Sequence, residues 1–84
     1  MKKITIYTGP MCNYCEAAKR LLIRNNANYN EINIATTDGA MDEMIKKANG
    51  KRTIPQIFFD DQHIGGYDEV RALEKENKLQ DLLK

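Results

Sequence analysis

Cys12 and Cys15 are the only cysteines of this 84-residue chain, and two residues separate them. Thiols at that spacing can serve as half of a zinc site, as a metal-transfer pair, or as a redox dithiol in which one sulfur attacks and the other resolves. A closed zinc site needs four ligands, and beyond this pair the chain offers only His63, so a complete intrachain Cys/His site is excluded. Redox chemistry needs only the two sulfurs. Cys12 follows a Thr8-Gly9-Pro10 break and opens a helical pattern. There, unpaired backbone N–H groups and the helix dipole stabilise a thiolate, which makes Cys12 the nucleophile. Cys15, one turn further in, is the less exposed thiol that attacks a mixed disulfide formed on Cys12.

The elements that must hold this pair follow from periodicity. Ile4 and Ile6 alternate with Lys3, Thr5 and Tyr7, which is a strand's period of two. From Asn13 to about Arg24, Ala18, Leu21 and Leu22 fall on one face of a helix that the dithiol opens. Asn25-Asn26-Ala27-Asn28 breaks it, and a second strand runs from Tyr29 to Ile34, parallel to the first as in a right-handed βαβ unit. Thr36-Thr37-Asp38-Gly39 supplies capping residues. Met41, Met44, Ile45 and Ala48 then mark the inner face of a second helix, with Asp42–Lys46 and Glu43–Lys47 pairs outside and Gly50 as its C-terminal cap. The two methionines read as core filling rather than a soft metal face.

Gln56-Ile57-Phe58-Phe59 and His63-Ile64-Gly65-Gly66, joined by Asp60-Asp61-Gln62, predict an antiparallel hairpin. A last helix opens at Tyr67-Asp68, with Asp68 as its cap, Val70 and Leu73 inside, and a continuation to Leu79, Leu82 and Leu83. The order is βαβαββα in one domain, residues 1–84, without repeat or linker.

Thirteen basic and twelve acidic residues leave a formal charge of +1, and the two signs are interleaved. Such a surface makes no field that gathers nucleic acid or anionic lipid, so neither is an expected partner. No apolar run is long enough for a signal-peptide core or a membrane span, and the expected location is cytoplasmic. In that reducing compartment a reversible catalytic disulfide fits better than a structural one.

Downstream, Pro55 sits at the entry to a strand, where a missing N–H is tolerated. Gly65-Gly66-Tyr67-Asp68 joins a strand to a helix: it is either a plain turn and cap, or a place where backbone approaches a ligand and a helix N-terminus receives an anion. Lys51-Arg52 reads equally as a carboxylate contact or a solvated loop. His63 is expected to be exposed and without a role.

Taken together, Ile6-Tyr7-Thr8 leading to Cys12-x-Tyr14-Cys15, Thr53-Ile54-Pro55-Gln56-Ile57-Phe58, His63-Ile64-Gly65-Gly66 and Asp68 resemble the glutaredoxin family, in its short bacterial dithiol form, over essentially the whole chain. The resemblance implies an α/β, thioredoxin-like fold: a four-stranded mixed sheet with helices on both faces. It also implies glutathione as thiol partner and a cis Pro55. By position, Cys12 would be the nucleophile and Cys15 the resolving thiol. Tyr14, Thr53 and Ile54 would flank glutathione beside Pro55. Asp68, with backbone at Gly66 and Tyr67, would hold the γ-glutamyl end, and Arg52 and Gln56 the glycine carboxylate. The implied activity is glutathione-dependent reduction of protein disulfides and glutathione mixed disulfides by a monomer, with no resident metal.

Two departures stand out. Many members have a lysine near the end of the first strand, where this chain has Thr8 and Gly9. The commonest motif has proline where this chain has Asn13, a change that removes a fixed φ and restores a donor. In the family, loss of that proline sometimes accompanies a dimer bridging a [2Fe-2S] cluster through the first cysteine and glutathione. That role, and a redoxin reduced directly by a flavoprotein reductase, are the alternative readings.

Overall fold

Strand β1 (Ile4–Thr8) is flanked by β2 (Tyr29–Asn33) on one side and β3 (Gln56–Phe59) on the other, with β4 (Gln62–Gly65) outside β3, so the sheet order is β2-β1-β3-β4. The structure, a computed structural model, describes residues 2–84; Met1, the first residue of the expected domain, lies outside them. β1 and β2 are parallel, whereas β3 runs antiparallel to both β1 and β4, which makes the sheet mixed. The helices are α1 (Asn13–Arg24), α2 (Ala40–Lys47), α3 (Tyr67–Lys75) and α4 (Leu79–Leu83).

Alternation along the strands divides the apolar residues between two layers. Ile4 and Ile6 of β1 and Ile57 and Phe59 of β3 pack with Ala18, Leu21 and Leu22 of α1, Val70 of α3, and Leu79 and Leu83 of α4. On the other face, Tyr7 and Phe58 pack with Met44 of α2 and with Ala48, Ile32 and Ile34 beside them. Helices therefore cover both faces, and strand β1, buried on both, carries Ile6 and Tyr7 at 0% and 1% exposure. Each fully buried Leu or Ile contributes about 1.5–3 kcal/mol to holding these layers together. Polar contacts add orientation: the Tyr7 hydroxyl donates to Glu43 Oε1 over 2.6 Å, tying α2 to the sheet, and Glu43 also pairs with Lys47 at 3.2 Å.

Across the larger layer, Glu74 of α3 receives Arg24 through two bonds of 2.8 and 2.7 Å and the Asn25 amide through a third of 2.7 Å. A carboxylate gripped in this way fixes the end of α1 against α3. Glu74 is held well below the ordinary carboxylate value, at about 2, first by the Arg24 hydrogen bonds and then by Asn25.

Several details differ from the sequence reading. The last helix is interrupted: Asn77 takes a left-handed φ of 58°, and Lys78 N–H bonds back to Leu73 O over 2.9 Å, so α3 closes before α4 begins. Helices α1 and α2 end the same way, with Asn26 at φ 59° and Asn49 at φ 58° followed by back-bonds from Ala27 to Leu22 and from Gly50 to Ile45. Asn49, rather than Gly50, is thus the first left-handed residue after α2. At the start of α2, Gly39 is the cap and no side chain caps it. Met41 stands 41% exposed, outside the core assigned to it, while Met44 is buried. Asp68 does not cap α3; Gly66 holds that position.

Candidate active site

Cys12 is itself the N-cap of α1, in extended conformation, and its sulfur accepts the Cys15 N–H over 3.1 Å. A sulfur thus occupies the place usually taken by a Ser or Asp oxygen, where a negative charge meets the helix's unpaired donors. Cys15, one turn later, is 1% exposed, and the two sulfurs are joined as a disulfide across a Cα–Cα distance of 5.2 Å. Cys12 is partly buried and Cys15 fully so. Met11, just before Cys12, is fully exposed with a left-handed φ of 53°.

Beside the dithiol is a cleft of about 240 Å³. Tyr14 from α1 forms one wall, Thr53, Ile54 and Pro55 a second, and Gly66, Tyr67, Asp68 and Glu69 at the start of α3 the third. Tyr14 and Tyr67 approach each other with ring centroids 5.9 Å apart, and the Ile54–Pro55 bond is cis. Gly66 allows the last two walls to meet, because a Cβ there would lie 3.2 Å from the Pro55 carbonyl oxygen. The first-turn N–H groups of Tyr67 and Asp68 have no intrahelical acceptor and suit an anionic group. The Gly66 N–H is engaged instead by Glu69 Oε1 at 2.6 Å. Glu69 was not among the sequence candidates, although an acid three residues after the cap is the expected partner of a cap N–H.

Seven of the nine residues that the sequence associates with glutathione line this cleft, and two do not. Arg52 is exposed outside its lining. Gln56 is 2% exposed, and its Nε2 donates to Thr53 O at 3.0 Å and to Thr53 Oγ1 at 3.1 Å. His63, expected to be exposed and idle, is partly buried: its Nε2 lies 2.7 Å from Gln56 Oε1 and its ring stacks on Phe58 at 5.0 Å. Burial lowers the His63 pKa first, and the positive charge of Lys51 lowers it further against an opposing effect of Glu69.

Where many glutaredoxins have a lysine, the buried Thr8 hydroxyl donates to Glu31 Oε2 at 2.7 Å. Lys19 is held by Glu16 at 2.7 Å and Glu31 at 3.2 Å. Among the described residues no three His, Cys, Asp or Glu side chains gather in a metal-holding group, and no helix is long and apolar enough to cross a membrane.

A mixed sheet covered on both faces, with a Cys-x-x-Cys pair opening its first helix opposite a cis-proline loop, defines a thioredoxin-like protein with redox-active, disulfide-forming cysteines. The glutaredoxin family model matches residues 4–64. Glutaredoxin 1 of Rickettsia prowazekii is 47% identical over 81 residues, covering 95% of this chain and 85% of that protein. Two solved structures are similar throughout. The solution structure of glutaredoxin from Brucella melitensis has a TM-score of 0.85 at 46% identity, covering 100% of this chain and 90% of that one. A buckwheat glutaredoxin–glutathione complex has a TM-score of 0.86 at 27% identity, covering 98% and 76%. The chain belongs to the glutaredoxin family, with Cys12 and Cys15 in the position of its thiol-disulfide oxidoreductase motif.

Proposed function

We propose that this chain is a glutathione-dependent oxidoreductase that reduces glutathione mixed disulfides and protein disulfides through Cys12 and Cys15. The observation that carries the reading is the cleft beside Cys12, walled by Tyr14, the Thr53-Ile54-Pro55 loop and the start of α3. Its free first-turn N–H groups suit a carboxylate and the Asp68 side chain suits an ammonium, which are the two charged groups at the γ-glutamyl end of glutathione. The similar buckwheat structure is a complex with glutathione, which supports the same ligand here.

In this reading the Cys12 thiolate attacks the glutathione sulfur of a mixed disulfide. The old S–S bond breaks, the substrate leaves as a thiolate, and Cys12 carries the glutathionyl group. A second glutathione thiolate attacks that group, forming glutathione disulfide and regenerating the Cys12 thiolate. With a protein disulfide, Cys12 first forms a mixed disulfide with the substrate. Cys15 then attacks the Cys12 sulfur, releasing the reduced protein and closing the Cys12–Cys15 bond, which two glutathiones reopen. Arg52, exposed and outside the cleft lining, and Gln56, whose side chain is turned onto Thr53, are left out of these contacts. Action as a one-domain monomer in the cytoplasm completes the proposal.

The test is glutathione-dependent reduction of a small glutathione mixed disulfide, run beside a flavoprotein reductase as sole electron donor. Turnover with glutathione that disappears in Cys12→Ser supports the reading. Turnover only with the flavoprotein reductase, or activity retained in Cys12→Ser, overturns it.

A further inference from the structure

We infer that His63 is a positioning residue for the glutathione cleft, acting through the Gln56 amide on Thr53; the inference rests on the reading of that cleft given above. His63 sits on β4 opposite Phe58 in the β3–β4 pairing, and its ring stacks on the Phe58 ring at 5.0 Å. From there Nε2 reaches Gln56 Oε1 over 2.7 Å. On its other side the same amide donates to both the carbonyl and the hydroxyl of Thr53, at 3.0 and 3.1 Å. Thr53 lines the cleft, and the next residue, Ile54, places its carbonyl oxygen 3.9 Å from the Cys12 sulfur. A continuous chain of polar contacts thus runs from an edge strand to the wall of the site.

The chain has a sense that the Thr53 carbonyl sets at one end and a donor at His63 enforces at the other. A glutamine amide can rotate half a turn and exchange its oxygen and nitrogen with little change in shape. In one orientation Nε2 faces the Thr53 carbonyl and hydroxyl; in the other, Oε1 faces that carbonyl and the two oxygens repel. Gln56 is 2% exposed, so water does not supply the missing partner. An N–H on His63 Nε2 requires Oε1 on its side and so selects the orientation that grips Thr53. Both the neutral Nε2–H tautomer and the imidazolium carry this proton, so the grip does not depend on the charge of the ring. Replacing the ring by one without a donor leaves the buried Gln56 Oε1 without a partner, which loosens the amide and with it the register of the Thr53-Ile54 wall.

The experiment compares His63→Phe, which keeps a ring on Phe58 without a donor, with His63→Gln, whose side-chain amide restores an N–H at similar reach. The KM for a small glutathione mixed disulfide, whose glutathionyl group the cleft receives, is measured at a fixed, saturating concentration of glutathione. Alkylation of reduced Cys12 by iodoacetamide provides the reactivity of the sulfur itself. The loss of one buried hydrogen bond predicts that His63→Phe raises the KM about fivefold. His63→Gln should stay within about twofold of wild type, and the alkylation rate of Cys12 should remain that of wild type in both. The Gln56 side-chain amide protons, followed by NMR, should exchange slowly in wild type and His63→Gln and rapidly in His63→Phe. An unchanged KM in His63→Phe, or equal increases in both variants, overturns the inference. If wild type shows no turnover with glutathione, the functional reading fails instead. The amide exchange then decides the inference alone: protection in all three proteins overturns it, and selective loss in His63→Phe supports it.

Discussion

The sulfur of Cys12 stands 3.9 Å from the carbonyl oxygen of Ile54, the residue whose peptide bond to Pro55 is cis. The same sulfur accepts the Cys15 N–H at 3.1 Å. These two backbone dipoles act on a Cys12 thiolate in opposite senses, and the donor is the nearer. It is reinforced by the N-terminus of α1, so the balance favours the charged form. Reduced protein should therefore be alkylated at Cys12 before Cys15, by a factor on the order of ten at neutral pH. Peptide mapping after brief iodoacetamide treatment measures this, and equal labelling would contradict it.

The depth of Cys15 separates its duty from that of Cys12. Cys15→Ser should keep turnover of small glutathione mixed disulfides, in which glutathione itself resolves the intermediate, and lose reduction of protein disulfides. Parallel assays with the two substrate classes show the split; equal loss of both would refute it.

Gly9 and Ile54 share one volume. A Cβ on Gly9 would lie 2.7 Å from Ile54 Cδ1, inside contact distance, although the atom it meets ends a flexible side chain. Gly9→Ala should cost about 1 kcal/mol by overpacking, and Ile54→Val, which removes the obstructing methyl, about 0.5–1.5 kcal/mol. The double variant should be more stable than the sum of the two by about 1 kcal/mol. Urea unfolding of the four proteins closes the cycle, and simple additivity would show that the two residues do not compete.

Glu74 gives stability a pH signature. Its folded-state pKa, brought down to about 2 by Arg24 and then Asn25, lies below the ordinary value of 4.5, so the folded protein binds this proton less readily than the unfolded chain. The contribution is complete above the ordinary value and is lost as the pH falls toward about 2. Arg24 is half exposed and water screens the pair, so Glu74→Gln should cost about 1 kcal/mol at neutral pH. The gap between the two proteins in thermal midpoint should shrink steadily below pH ~4.5. A gap that is constant down to pH ~2 would contradict the assignment.

Asn77 lets α3 stop and α4 turn inward. At a φ of 58°, alanine is penalised by steric contact with its own backbone, so Asn77→Ala should cost about 1 kcal/mol. Asn77→Gly should remain within about 0.5 kcal/mol of wild type. Chemical denaturation distinguishes this from a merely tolerant loop, in which both substitutions would be silent.

Much of the architecture could be read locally. Ile4 and Ile6 give a strand, Ala18, Leu21 and Leu22 give a helix face, and the hairpin from Gln56 to Gly65 follows from two apolar runs around an acidic turn. Leu79 follows Leu73 by six residues, out of helical phase with it, so the interruption at Asn77 left a trace that a single continuous helix overlooks. Met41 keeps helical phase with Met44 but lies at the first turn of α2, beyond the edge of the smaller layer. In the site, Cys12, Cys15 and the cleft walls were legible because each lies in a contiguous motif. The Gln56–His63 contact depends on strand pairing, and the Glu74 cluster joins residues as far as 50 positions apart, so neither leaves a periodic trace. Thr8 reads as an ordinary strand residue until β2 brings Glu31 beside it.

In the proposed cycle Cys12 changes bonding partner while it caps α1, which couples the helix to the electron count of the protein. A thiolate is a stronger acceptor for the Cys15 N–H than a sulfur engaged in a disulfide, so the first turn is held more firmly after two electrons arrive than before. The cycle of folding and reduction must close, and whatever tightens this turn in the dithiol state also draws electrons into the Cys12–Cys15 bond. The opening turn of α1 is thereby part of the driving force for accepting electrons, as well as the scaffold that presents the sulfur.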